Sequence, residues 1–157
     1  MSNKHTMKQG FLVMAALTAL APAVLAQDAR KAIQAQYDTR SAAALKKEVA
    51  GSLAINAPEF VAIGLKGDKR TLAQLKPQLT QVFASIKSYT IRTKITNCVV
   101  KDDSATVKTL DRVTIVGKNT QESEATSEDL WIRKNGQWLR TQNKLLSSTI
   151  KNTKPGK

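Results

Sequence analysis

Residues 130–138, with the sequence LWIRKNGQW, decide the fold of this 157-residue chain. An Asn-Gly pair between two β-rich segments is a strong hairpin signal, because both central residues of the tight turn need a positive φ. Antiparallel partners have a constant index sum, so Trp131 lies opposite Arg140 and Arg133 lies opposite Trp138. The stretch therefore predicts two antiparallel strands and the register in which their side chains meet.

Four β-rich segments make up the second half of the chain. They are Tyr89–Val100, Ala105–Val116, Thr120–Lys134 and Gln137–Ser147. Turn signals rich in Asp, Ser, Asn and Gly separate them at residues 101–104, 117–119 and 135–136. Successive hairpins of this kind predict an antiparallel meander.

Helical patterns precede the predicted sheet. Strong helix formers run from Asp28 to about Val49, and Gly51 is expected to interrupt that helix. The apolar stripe of this first helix is Ala29, Ile33, Tyr37, Ala44 and Leu45. A short turn at 52–57 and a short strand at 60–65 come next.

A second major helix begins at a capping box formed by Thr71 and Gln74. Apolar residues recur at helical spacing from Leu72 to Ile86, and Pro77 predicts a kink or a restart within that helix. Helices followed by a long antiparallel sheet are typical of an α+β fold, in which the helices cover one face of a curved sheet.

The first 26 residues have the composition of an export signal. A basic start with Lys4 and Lys8 precedes an apolar run, and small residues before Gln27 predict cleavage after Ala26. The alternative is a membrane anchor, but the run from Phe11 is shorter than the roughly 20 residues that cross a bilayer. We therefore expect a signal peptide at 1–26, one domain at 27–150, a flexible basic tail at 151–157, and a periplasmic or secreted protein.

The chain is strongly basic, with 25 Lys plus Arg against 12 Asp plus Glu and a formal charge of +13. Removal of the signal leaves +11, because two lysines leave with it. Such a charge suits anionic partners, and a well-solvated surface is the simpler interpretation. The lysines are spread along the chain, and the aromatic residues do not alternate with them, so no nucleic-acid partner is expected.

Histidine and cysteine usage restricts the chemistry. The single histidine, His5, lies in the predicted signal, which excludes histidine-based acid–base or metal chemistry from the mature chain. Cys98 is the only cysteine and lies in an apolar strand, where a buried, inert thiol is expected. Four acids between Glu122 and Asp129 match no calcium loop, so we expect neither a metal nor a cofactor.

Several stretches together resemble a known fold family. They are Tyr37-Asp38, residues 57–60 (APEF), residues 71–75 (TLAQL), residues 103–107 (DSATV) and residues 130–138. With these motifs the mature chain resembles the SnoaL-like bacterial members of the nuclear transport factor 2-like superfamily. That resemblance implies a cystatin-like cone, in which helices close one end of a curved sheet around a pocket.

The predicted register places a set of polar and aromatic residues on one sheet face. Counting does not decide which face lines the pocket; we take this one, and Tyr37 of the first helix could point its hydroxyl into the pocket. The candidate pocket residues are Tyr37, Asp111, Asp129, Trp131, Arg140 and Gln142. Counting pairs Asp129 with Gln142, and it places Leu145 on the opposite face, although a single bulge would reverse the alternation. A buried Asp in apolar walls could act as a base. The simpler interpretation is an Asp129–Arg140 surface ion pair, a solvated Asp111 and a core Tyr37.

Three functions follow from these patterns. The first is an exported domain that holds a small apolar or amphipathic molecule without converting it. The second is an isomerase or dehydratase with Asp111 or Asp129 as base, although Gln142 and Lys144 stand where the related final strands carry histidines. The third is a basic module that binds the cell envelope or forms a homodimer through the sheet.

Overall fold

The computed structural model describes residues 21–155, which form three helices and six strands. Their bounds are α1 Ala21–Leu45, α2 Val49–Leu53, β1 Asn56–Ile63, β2 Lys69–Thr71, α3 Leu72–Ser85, β3 Ser88–Lys101, β4 Ser104–Val116, β5 Asn119–Lys134 and β6 Gln137–Pro155. The strands make one curved, unclosed sheet in the order β2-β1-β6-β5-β4-β3. Neighbouring strands are antiparallel, except that β1 lies parallel to β6. The predicted α+β fold is confirmed.

The predicted meander forms as expected at its turns. Asn135 and Gly136 have φ values of 52° and 78°, as the tight β5–β6 hairpin requires. Strand β6 is longer than its period-two pattern indicated, because it runs to Pro155 along the beginning of β5. The segment from Lys151, expected to be a flexible tail, is therefore strand up to Pro155.

Because of β-bulges, the observed β5–β6 register differs from the one predicted by the constant index sum. Trp131 pairs with Arg140 as expected, but the next step of the ladder slips by one residue. Asp129 consequently lies opposite Asn143, and Gln142 lies opposite Leu130. The slip increases the local twist of the strand, and it moves Gln142 to the outer face of the sheet.

The same slip changes the position of Leu145. This residue pairs with Ser127, which is 3% exposed on the helix-covered face. Leu145 therefore shares the inner face, and its expected position on the opposite face is wrong. Arg112 and Glu124 lie together on the outer face, with 2.8 Å between Nε and Oε1.

The helices differ from their predicted bounds at the ends. Helix α1 stops at Leu45, and Gly51 lies within the short helix α2. Thr71 and Gln74 form the predicted capping box at the start of α3. Helix α3 is continuous through Pro77, so no restart occurs there.

The core lies between α1 and the concave face of the sheet. Its central cluster consists of Ala29, Ile33, Tyr37, Ile55, Ile95, Ala105, Val107, Trp131 and Trp138. Leu45, expected in the buried stripe of α1, is 59% exposed because the helix ends there. On α3 only Phe83 is buried, so this helix closes the rim of the sheet and does not fill its centre.

Most of the predicted signal peptide lies outside the described residues. Residues 21–26 form the beginning of α1, which continues without a break past Gln27. No helix within residues 21–155 combines the length and the apolar character needed to cross a bilayer.

Candidate functional site

A fully buried carboxylate organises the concave face of the sheet. Asp129 on β5 is 1% exposed. Its Oδ2 accepts a short hydrogen bond from the Tyr37 hydroxyl and another from Arg140 Nη1 at 3.2 Å, while its Oδ1 accepts one from Asn143 Nδ2 at 2.6 Å. Buried charge is tolerated only with such partners, and here both oxygens are engaged.

Tyr37 reaches Asp129 from α1. Its ring packs edge-on against Trp131, with ring centroids 5.2 Å apart, and Trp131 Nε1 donates to its hydroxyl at 3.3 Å. Burial and, secondarily, the charge of Asp129 raise the pKa of Tyr37 well above its ordinary value. The hydroxyl therefore stays protonated and acts as a donor.

Arg140 on β6 compensates the charge of Asp129 from the neighbouring strand. Its Nε donates to Asn56 Oδ1 at 2.9 Å, and its guanidinium lies 5.0 Å from the ring centroid of Phe60. The side chain is 8% exposed. Two carboxylate or amide acceptors and an aromatic face thus hold a planar cation in one orientation.

A second arginine–aspartate pair lies one step away. Arg40 Nη2 donates to Thr93 Oγ1 at 2.6 Å and lies 3.5 Å from Asp111 Oδ1. Thr93 Oγ1 also donates to Asp111 Oδ1 at 2.5 Å. The Arg40 guanidinium lies 5.4 Å from the Tyr37 ring centroid, so Tyr37 connects the two pairs.

A cavity of about 150 Å³ lies where α1, α2 and α3 meet the sheet. Its apolar walls are Ala44, Leu53, Leu79, Phe83 and Ile91. Its polar lining is Arg40, Ser52, Tyr89 and Arg140. Burial raises the pKa of Tyr89 above its ordinary value, so this phenol also remains a neutral donor.

Only one of the six candidate pocket residues lines this cavity. Arg140 is at its wall, whereas Tyr37, Asp129 and Trp131 are packed behind the wall at 1% exposure each. Asp111 holds Arg40 and has a side chain that is 16% exposed. The Asp129–Arg140 ion pair exists, but it is buried.

Gln142 is the candidate that the structure removes from this group. The bulge beside Trp131 turns it outward, and Asn143 takes the inward position against Asp129. Pairing the strands by index sum could not identify Asn143, because a bulge of one residue in a strand leaves no distinctive sequence pattern.

Three other site residues escaped the sequence analysis. Arg40 is one helical turn beyond Tyr37, so the helical period could have placed it on the same face. Tyr89 is the second residue of β3, and it was identified from the sequence only as the start of a β-rich segment. Asn56 begins β1 and lies opposite Arg140 of β6, and that parallel pairing had no local signal in the sequence.

The lone thiol lies apart from this site. Cys98 is half-buried against the central cluster, and burial raises its pKa above the ordinary value. A raised pKa lowers the thiolate fraction and hence the reactivity. Of the described residues, no three His, Cys, Asp or Glu side chains are grouped so that they could hold a metal.

The sequence matches no protein-family model and no curated protein, whereas solved structures share its fold. A candidate aromatic ring hydroxylase from Novosphingobium aromaticivorans has a TM-score of 0.66 at 17% identity, covering 80% of this chain and 94% of that one. A candidate scytalone dehydratase from the same organism has a TM-score of 0.68 at 12% identity, covering 83% and 92%.

A third structure names the architecture. A domain of unknown function with a cystatin-like fold from Nostoc punctiforme has a TM-score of 0.60 at 14% identity, covering 78% of this chain and 77% of that one. The chain therefore has the fold of SnoaL-like, nuclear transport factor 2-like proteins, as its motifs indicated.

Proposed function

We propose that this SnoaL-like cone is an exported domain that binds a small, partly apolar molecule in its cavity and does not convert it. The lining of the 150 Å³ cavity, which consists of described residues, supports this most directly, because it contains no carboxylate and no imidazole. A general base must come within hydrogen-bond reach of the proton it removes. Asp129 has both oxygens engaged behind the wall, and Asp111 is held by Arg40 and Thr93.

The fold supports the binding part of the proposal. Neighbouring structures of this fold bear names that refer to small-molecule chemistry, such as dehydratase and ring hydroxylase. A cavity of about 150 Å³ with apolar walls accepts a molecule of the size of benzene. Pockets of this kind combine apolar walls with a few polar groups that set orientation.

Native mass spectrometry of the protein, purified after export, tests the proposal. We expect a mass excess that disappears on denaturation and corresponds to a small organic molecule. Leu79→Trp, which fills the cavity, is expected to abolish the excess, whereas Val82→Trp on the same helix, 37% exposed in the wild type, should retain it. A bare protein from every preparation would contradict the proposal.

The same spectra test export, and they test the homodimer that the sequence indicated as another function. A mature chain starting at Gln27 would support export, and an intact N-terminus after expression in a secreting host would contradict it. A dimer mass would support a homodimer through the sheet, whose outer face includes Leu130 at 36% exposure.

An enzyme is the second candidate, and the Tyr37–Asp129 hydrogen bond in an apolar interior favours it. A buried acid beside a protonated phenol can act as an acid–base pair when a ligand reaches it. The molecule released by denaturation would be incubated with fresh wild-type protein and followed by mass and chromatographic retention. Conversion by the wild type that is lost in Asp129→Asn or Asp111→Asn would favour the enzyme, and an unchanged molecule would favour binding alone.

A further inference from the structure

The charged groups around the cavity are arranged asymmetrically. Two arginines, Arg40 and Arg140, line it, while their partners Asp111 and Asp129 are not part of the lining. A ligand in the cavity therefore contacts guanidinium groups and lies farther from the carboxylates. Since the interior is poorly screened, the nearer charges dominate the interaction with a bound molecule.

The arginines retain donors that the protein does not use. Arg40 makes both of its polar contacts through Nη2, and its Nε is buried without a hydrogen-bond partner among the described residues. Arg140 directs Nε and Nη1 to Asn56 and Asp129, which leaves Nη2. Both arginines line the cavity, and a guanidinium group has five N–H donors, so each retains donors beyond the contacts named here that a bound group can use.

The remaining walls define the other end of the ligand. Leu53, Leu79 and Phe83 provide an apolar surface that offers no hydrogen bonds, and the volume suits a single six-membered ring. Tyr89, which stays protonated and lines the same cavity, adds a neutral donor near the arginines. A ligand that satisfies all these groups has one ring-sized apolar body and one anionic acceptor group.

We infer that the cavity selects a small carboxylate with an apolar body about the size of a benzene ring, held by Arg40 and Arg140. This inference rests on the proposed binding function and specifies its ligand class. The planar guanidinium groups match the geometry of a carboxylate, and charge-assisted hydrogen bonds are about twice as strong as neutral ones.

The alternative is a neutral ligand, because Asp111 and Asp129 balance the two arginines in total charge. In that case the unused donors would serve a carbonyl or hydroxyl oxygen as well as a carboxylate. Three ligands of nearly identical shape separate these cases: benzoate is anionic, benzamide is neutral and benzamidinium is cationic.

Ligand-observed NMR titrations with these three compounds test the inference. We expect saturable binding of benzoate about tenfold tighter than that of benzamide, and no saturable binding of benzamidinium. Equal affinity for benzoate and benzamide, or tighter binding of benzamide, would overturn the anionic selection while leaving the binding function intact. Failure of all three to bind would overturn the assigned size and charge, and native mass spectra would still report independently on the binding function.

Two variants distinguish an effect of the cavity arginine on benzoate binding from an effect of the protein's net charge. Arg40→Met removes a cation from the cavity, and Arg112→Met removes one from the outer face, where Arg112 contacts Glu124. We expect Arg40→Met to weaken benzoate binding about tenfold and to leave benzamide nearly unchanged, with no effect of Arg112→Met. An equal loss in both variants would contradict a local site. Should Arg40→Met fail to fold, as judged by circular dichroism, the wild-type ligand series decides.

Discussion

Replacing Asp129 by Asn tests the buried network most directly. Oδ1 accepts from Asn143, and Oδ2 accepts from Tyr37 and Arg140. The new amide has one acceptor oxygen where the carboxylate had two, and Arg140 loses the charge that compensates it. Removing one partner of a buried ion pair costs about 3–5 kcal/mol. For a domain of this length that loss lowers the melting temperature by roughly 10–20 °C.

Urea unfolding followed by tryptophan fluorescence measures the loss, because Trp131 and Trp138 both lie in the core. The midpoint should fall while the slope with urea stays the same, as expected when stability alone changes. Asp103→Asn is the matched control, since its carboxylate is 68% exposed and pairs with Arg133 at 2.8 Å. The control should lose less than about 1 kcal/mol. A loss of that small size for Asp129→Asn would refute the conclusion that its charge is buried and compensated.

Other features of the structure lead to three further predictions. Tyr37 and Tyr89 have raised pKa values, so above about pH 10 the folded protein binds more protons than the unfolded chain. The free energy of unfolding should therefore be highest below that pH and decline above it. Urea melts between pH 8 and 11 would detect the decline. Gly136→Ala places a side chain at φ 78° and should destabilise by about 1 kcal/mol or more, whereas Gly117→Ala, not among the positive-φ glycines, should have little effect in the same melts. Cys98, with its raised pKa, should react with a thiol reagent more slowly in the folded protein than in urea, and equal rates would contradict its burial.

Local signals explain why so much of the architecture was predictable. The Asn135-Gly136 turn, the capping box at Thr71 and the period-two segments each depend on residues only a few positions apart. The position of β1 beside β6 was not predictable in this way. That parallel pairing joins residues about eighty positions apart, such as Val61 and Gln142, and no turn marks it.

The candidate site was predictable only in part. Tyr37, Asp129, Trp131 and Arg140 could be placed on facing surfaces because helix and strand periods are regular. Asn143 was missed because the bulge changes the strand's alternation by a single residue. Burial was left open, since a sequence does not show whether an Asp–Arg pair is covered by a helix.

The sequence by itself determined the features that depend on residues a few positions apart, namely the helix and strand periods and the hairpin turns. Its composition also determined that no histidine follows His5. The folded chain decides which charges face the cavity. Asp129 is engaged by Tyr37, 92 positions away, and Asp111 by Arg40, 71 positions away. These contacts engage the acids and leave arginine donors at the cavity wall. Contacts over such separations depend on how α1 packs across the curved sheet, and only the complete tertiary structure specifies that packing.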